Sequence, residues 1–460
     1  MLIRQDVLKL TIPVVAEQVF IVSMGMVNTI MASHIGKEAV SAIGMVDSIN
    51  NIFIAFFSAL AVGGTVVVAH YAGQENINDA NEAAKQALLS GLAVALMITI
   101  LIWVLRKPLI AILYGAAEQS VLVNANTYLK ITLLTYPLIA ITSIASGVLR
   151  GAGDTKTPMK INIFMNFINI ILSYFFIYGL DIKNGHFHVF IPGMKVMGAA
   201  IGIAAARVTG SLLVLFVLLK GSKIIRLTRL RSFRLNLELQ KSIFGIGIPA
   251  SVESLLFNGG KLITQVYIVG LGTASIASNY IAGSIASLIN VPGSALGIAA
   301  TTVVGQNMGR GESKEAKKSL LYLVKLSSLS LLVLSALSFP ASDFLASLYT
   351  KSSDVIKLSS LLIRLSAVAT PLFWSIAFVL PAGLKGAGDV KYTMVTSIIG
   401  MWAFRITLGY ILAIPLKIGV AGVWLGMFTD WVVRGTLYYI RLKRDRWMRH
   451  VIIRQADHAL

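Results

Sequence analysis

The stretch IPASVESLLFNGGK, residues 248–261, places one carboxylate, Glu253, inside a predominantly apolar run with apolar sequence on both sides. A helix beginning near Ser242 carries Glu253 about 11 residues in, or roughly 17 Å along the axis, close to the middle of a hydrocarbon core about 30 Å thick. An ionised acid at that depth costs about 2.5 to 3.5 kcal/mol, so it is expected to face a cavity, take a proton or bind an ion such as Na+. The phrase occurs twice. Ile12-Pro13-Val14-Val15-Ala16-Glu17 parallels Ile248-Pro249-Ala250-Ser251-Val252-Glu253, which puts Glu17 at the same depth in the first helix.

Composition agrees with a membrane setting. The chain is 56% hydrophobic and 13% charged, with mean hydropathy +0.79, which excludes an ordinary soluble domain and leaves a polytopic membrane protein. The net charge of +20 falls in short loops between apolar runs, a topogenic pattern and not a nucleic-acid footprint. With no cysteine, neither a disulfide framework nor a thiolate metal site is available. The first apolar run is too long for a cleavable signal peptide and is expected to remain as the first span.

Apolar runs long enough to cross a bilayer number about twelve. They fall near 7–33, 40–72, 85–104, 125–149, 158–180, 196–219, 242–269, 274–304, 320–338, 355–384, 392–414 and 419–439. The expected fold class is therefore all-α, since spanning strands are only about 10 residues long and alternate in polarity. With the N-terminus inside, inner segments collect about 25 Lys and Arg and outer ones about eight, so both termini are expected in the cytoplasm. The organisation expected is a six-helix lobe over 1–219, a basic cytoplasmic linker over 220–241, a second six-helix lobe over 242–440 and a basic tail over 441–460. Lys220, Lys223, Arg226, Arg229, Arg231, Arg234 and Lys241 charge the linker. Apolar residues among them suit it to rest on anionic lipid headgroups. His186 and His188, in GHFHVF on the outside, are better explained as a surface hairpin than as a metal site, because no other ligand lies nearby.

Other repetitions share an offset of about half the chain. Arg150-Gly151-Ala152-Gly153-Asp154, preceded by Tyr136-Pro137, recurs as Lys385-Gly386-Ala387-Gly388-Asp389 after Thr370-Pro371, and His34-Ile35-Gly36 aligns with Gly270-Leu271-Gly272. Six spans per repeat make the halves enter the membrane from the same side, as parallel repeats about an axis along the membrane normal. Neither GAGD copy has the Gly-Lys-Ser/Thr of a P-loop, so both are expected to be tight turns, with glycine allowing left-handed backbone and Asp154 or Asp389 capping the next helix.

Taken in order, the Pro-x-x-x-Glu of spans one and seven, MGMVNTIMASHIG at 24–36, the L(R/K)GAGD turns, Asn166-x-x-Asn169, Trp402-x-x-Arg405 and Gly422-Val423-Trp424 resemble the multidrug and toxic compound extrusion (MATE) family over nearly the whole chain. The resemblance implies a twelve-helix exporter in two lobes around a central cavity, moving organic cations outward in exchange for protons or sodium, with no bound cofactor. Many relatives carry Asp where this chain has Asn28, and archaeal-type members often carry another in span five, where this chain reads Asn169-Ile-Ile-Leu-Ser173. Those acids are associated with ion coupling, so here the role is expected to fall to Glu17 or Glu253.

Further candidates come from side-chain chemistry. Asp47 lies close enough to the start of span two for solvation to compete with a functional role. Asp430 and Arg434 stand one turn apart, as an ion pair requires. Lys261, two turns beyond Glu253, either partners a carboxylate or snorkels outward, and Asn258 and Gln265 share its side of span seven. Tyr136, Asn166, Asn169, Tyr174 and Tyr280, with Met24, Met26 and Met31, offer a soft, weakly polar surface for varied ligands.

The function expected is a cation-coupled exporter of organic cations, a prokaryotic-type monomer in the plasma membrane. The competing expectation is a flippase for an anionic lipid-linked saccharide. Exposed Glu17 and Glu253 favour cations, whereas exposed Lys261, Arg364 and Arg405 favour phosphates. An intramembrane enzyme would need a nucleophile and base, or a metal cluster, within the spans, and the sequence offers neither.

Overall fold

The computed structural model describes residues 4–33, 35–114, 118–184, 187–222, 224–227 and 234–449. The first lobe contains α1 (Arg4–Ser33), α2 (Lys37–Gly73), α3 (Ile77–Tyr114), α4 (Gln119–Leu133), α5 (Tyr136–Gly151), α6 (Lys156–Tyr178) and α7 (Lys195–Lys220), with an antiparallel hairpin of β1 (Gly179–Asn184) and β2 (Phe187–Pro192) between the last two. The second contains α8 (Leu237–Val269), α9 (Thr273–Ile289), α10 (Val291–Gly309), α11 (Ser313–Ser338), the short α12 (Ser342–Ser347), α13 (Ser353–Ala369), α14 (Ser375–Gly386), α15 (Val390–Ile399), α16 (Gly409–Ala413) and α17 (Val420–Lys443).

These elements give the twelve spans. Among the described residues, seven helices are individually long and apolar enough to cross a bilayer, nine when the bent pairs α4–α5 and α9–α10 each count as one. The other three are α1 with Glu17, α8 with Glu253 and Lys261, and α17 with Asp430 and Arg434. The repeated proline shapes both lobes: Pro137 follows the 47° bend between α4 and α5, while Pro371 sits in the π-helical turn Thr370–Trp374 that joins α13 to α14. Proline lacks the N–H that would continue the ladder, so the helix breaks or widens there.

One face of the bundle carries the linker and the two GAGD turns, and the other carries the β-hairpin. These are the linker face and the hairpin face. Gly153 and Gly388 have φ of +83° and +90°, the left-handed conformation expected after each helix end. Asp154 accepts from the Thr157 backbone N–H at 3.1 Å, whereas the Asp389 carboxylate is held by Arg441 Nε and Nη2 at 2.7 and 3.1 Å.

The seventh span starts earlier than its hydropathy suggests. α8 begins at Leu237, where Asn236 Oδ1 accepts from the N–H groups of Glu238 and Leu239, an N-cap that extends the helix beyond its apolar stretch. Gln240 Nε2 then donates to Gln86 Oε1 of α3 at 2.8 Å. The first half of α8 packs on the opposite lobe, with Leu239, Ile243, Ile246 and Ala250 joining the core of Val66, Val67 and Ile144. At Gly63 of α2 the approach is so close that a Cβ would stand 2.2 Å from the Ile243 carbonyl oxygen. Exposed apolar residues such as Leu101, Val104, Leu212, Phe216, Leu329 and Leu337 suit a lipid-facing exterior. His188 pairs with Lys183 in the hairpin, and His186 lies outside the described residues.

Candidate functional site

Both acids of the repeated Pro-x-x-x-Glu meet the basic residue of the GAGD turn in their own lobe. Arg150 Nη2 lies 2.5 Å from Glu17 Oε1, an oxygen that also accepts from Asn162 Nδ2. Lys385 Nζ lies 2.8 Å from Glu253 Oε2. Glu17 is 1% exposed, and the Glu253 side chain 13%. This corrects the expectation of midplane carboxylates facing a cavity. Arg150 and Lys385 occupy the last turns of α5 and α14, so both pairs lie toward the linker face, and each acid is neutralised by a cation of its own lobe.

A different carboxylate occupies the middle of the first lobe. Asp47 is ten residues into α2, about 15 Å along its axis. Its Oδ1 accepts from Asn50 Nδ2 and Tyr128 OH, both at 3.3 Å. Asn50 Oδ1 in turn accepts from Tyr136 OH at 3.0 Å, and Asn50 Nδ2 reaches Thr132 Oγ1 at 3.4 Å. Arg207 of α7 donates to Thr135 Oγ1 at 2.7 Å and forms no salt bridge with Asp47. Beyond their first turns, the spans α1, α2, α8 and α17 carry four acids among the described residues: Glu17, Glu253 and Asp430 are each salt-bridged, whereas Asp47 is held by the neutral donors Asn50 and Tyr128.

The second lobe has the opposite balance. Arg434 Nε is 2.6 Å from Asp430 Oδ1, the pair expected from their spacing. Around the Phe257 ring stand Lys261 Nζ at 5.0 Å, Arg434 at 5.3 Å and Arg405 at 5.6 Å from the centroid. Three cations thus surround one ring, with one carboxylate among them. Arg364 is elsewhere, paired with Asp343 at 2.5 Å near the hairpin face.

On the linker face the lobes are clasped together by two matching contacts. His70 Nε2 is 3.0 Å from the Gly386 carbonyl oxygen, and because a carbonyl only accepts, that nitrogen carries the proton. Gln306 Nε2 donates to the Gly151 carbonyl at 2.9 Å. Both acceptors are last-turn carbonyls, which have no partner within their own helices. A Cβ on Gly73 would lie 2.1 Å from the Gln306 oxygen, and one on Gly309 2.1 Å from the His70 oxygen.

The family profile described as MatE matches residues 13–175 and 249–411. The chain belongs to the MatE family. Each matched half opens at the proline of Pro-x-x-x-Glu, so the family unit is the duplicated unit itself. Similar proteins include "Probable multidrug resistance protein NorM" of Thermotoga maritima, 26% identical over 98% of this chain and 94% of that one. "Uncharacterized transporter YisQ" of Bacillus subtilis is 26% identical over 96% and 94%. Among solved structures, one titled as the outward-facing conformation of a multidrug resistance MATE family transporter of the MOP superfamily aligns with TM-score 0.87 at 23% identity, covering 97% and 96%. The protein is a multi-pass membrane transporter of multidrug-efflux type and not an enzyme.

Within this MatE fold, Tyr136 and Asp47 are brought together through Asn50, which bonds to both. Gln265 and Tyr280 also meet, as walls of a cavity of about 480 Å³ completed by Thr273, Ile276, Ala277 and Asn279. Asn169 is buried and accepts from Ser173 Oγ at 3.0 Å. Asn166 and Asn258 donate to the carbonyls one turn back, of Asn162 and Ser254, and Tyr174 is 55% exposed. Met31 is core. The side chains of Asn28, Met24 and Met26 lie outside the described residues. Sequence reasoning missed Asn50, Tyr128 and Arg207. Arg207 was the findable one, a lone arginine inside an apolar span that needs a reason to be there.

Proposed function

We propose that this MatE protein is a secondary active exporter that carries organic cations outward by alternating access in exchange for H+ or Na+, with Asp47 as the carboxylate for which both ligands compete. The observation that carries this reading is the absence of a salt bridge at Asp47, while Glu17, Glu253 and Asp430, the other acids along those spans, are each salt-bridged. A carboxylate held only by Asn50 and Tyr128 can accept a proton, a sodium ion or a cationic solute, and occupancy by one weakens the others. The multidrug-resistance names of relatives support efflux. The excess of Lys and Arg in the loops between the spans supports a cytoplasmic linker face and cytoplasmic termini. The clasp between His70, Gly386, Gln306 and Gly151 then closes the inner side, and the described conformation is the outward-facing one.

The competing reading, a flippase for an anionic lipid-linked saccharide, draws on Lys261 and Arg405 in the second lobe. Transport of a fluorescent cation into everted vesicles, with H+ and Na+ gradients imposed separately, tests the first. Asp47→Asn is expected to abolish gradient-driven transport, whereas Glu253→Gln at matched expression retains it. Wild-type rates from Asp47→Asn under the effective gradient would overturn the assignment.

A further inference from the structure

The second lobe holds more positive charge than it neutralises. Arg434 is committed to Asp430 through Nε and Nη2, but Lys261 and Arg405 have no carboxylate partner among the described residues. The Arg405 guanidinium donates only to Met427 Sδ, at 3.0 Å, and the Lys261 ammonium is placed over the Phe257 ring. The backbone explains why Arg405 reaches that ring. It lies in the π-helical segment Gly400–Leu408, whose wider turn re-aims side chains relative to an α-helix. Phe257 is fixed in turn by edge-on contact with Phe378 at 6.4 Å.

Lys261 belongs to a polar stripe of Ser254, Asn258, Lys261 and Gln265, spaced by four, three and four residues on one face of α8. It is exposed, and Gln265, one turn beyond it, forms a wall of the 480 Å³ cavity. Trp424 Nε1 donates to Asn279 Oδ1 at 3.0 Å on that cavity's margin. Two unpaired cations, an aromatic platform and an adjoining cavity with amide groups and Tyr280 in its wall form a site for a negatively charged group on an apolar body.

From this arrangement we infer that Lys261 and Arg405 form a subsite for the anionic group, carboxylate or phosphate, of an amphiphile. The Arg405 guanidinium gives one oxygen pair a directed hydrogen-bonded partner, the ammonium of Lys261 adds a mobile point charge, and the apolar portion lies against Phe257 and the cavity. The excess positive charge is neutralised when the ligand arrives and is exposed again when it leaves. The site is separate from Asp47, which lies in the other lobe, so with the cation site proposed at Asp47, on which this last step rests, the two halves together take zwitterionic solutes.

Equilibrium binding without any gradient tests this independently of the coupling reading. The probes are naphthalene-2-carboxylate and its neutral isostere 2-naphthamide, titrated into the purified full chain in phosphatidylcholine nanodiscs and followed by tryptophan fluorescence. The carboxylate is expected to bind about ten-fold tighter than the amide, and Lys261→Gln to bring the two within about two-fold. Lys261→Arg keeps the discrimination. Lys261 is exposed and unpaired, so its replacement leaves the fold intact, and Arg405→Lys serves as the second variant. Equal affinities for the two probes in the wild type, or undiminished discrimination in Lys261→Gln, would overturn the inference. Repeating the titration with phosphatidylglycerol present separates the sources of the group. Competitive loss of carboxylate affinity that Lys261→Gln removes makes a lipid headgroup the occupant, and no competition makes it a soluble solute. Either result requires the site.

Discussion

Arg150, the first residue of the first RGAGD turn, reaches back to Glu17 of the repeated Pro-x-x-x-Glu at 2.5 Å, and Lys385 does the same to Glu253 at 2.8 Å. Two motifs that recur together in sequence are therefore one structural unit in each lobe: an acid on the first helix of the repeat locked to the end of the fourth. The helix end places the base, and the acid removes the cost of burying it. Each unit also positions Gly151 or Gly386, whose carbonyl receives the donor from the other lobe.

Removing one member of such a pair strands the other. Arg150→Gln is expected to destabilise the folded protein by about 3 kcal/mol, because Glu17 is then buried without its cation, and Glu17→Gln on top of it to recover part of that loss. Thermal unfolding in detergent measures both. The Glu253–Lys385 cycle is expected to show a smaller coupling, since its side chains are 13% and 21% exposed. Additive effects at Glu17 and Arg150 would show that the pair contributes no coupling.

Closure of the linker face depends on glycine at the crossing of α2 and α10. Gly73→Ala puts a methyl about where the Gln306 carbonyl oxygen now lies, so the inner side is expected to stay apart and transport to fall by at least about ten-fold. The chain has no cysteine, so Glu75→Cys and Arg310→Cys give clean sites for spin labels. A longer distance in the Gly73→Ala background is the expected readout, and an unchanged distribution together with wild-type transport would contradict it. His70→Gln keeps a donor toward Gly386 and is expected to transport better than His70→Ala by several-fold.

At Asn28 the family resemblance implies Asp in many relatives. Asn28→Asp is expected to insert and fold and to add a second titrating group to the transporter. Expression and detergent stability report on folding, and the number of protons exchanged per substrate, read by calorimetry in buffers of differing ionisation enthalpy, reports on titration. A variant that fails to insert would mean that Asn28 is packed against protein.

Read without coordinates, the chain already determined its spans, its duplication and its family, because hydropathy over about 20 residues and repetition at a fixed offset are properties of the linear chain. Even the Asp430–Arg434 pair was legible, since one helical turn separates the two residues. What the chain could not determine was the environment of each embedded charge. Glu17 and Glu253 looked like free midplane acids because their partners, Arg150 and Lys385, lie about 130 residues away in sequence. Asp47 looked close to solvent, yet it is half-buried and accepts from Tyr128 of α4 and from Asn50, which Tyr136 of α5 holds in turn. The cap at Asn236 starts α8 five residues before Ser242, and the π-helical segment aims Arg405 at Phe257. Counter-charge depends on distances across helices, and only the packing of the two lobes sets those distances.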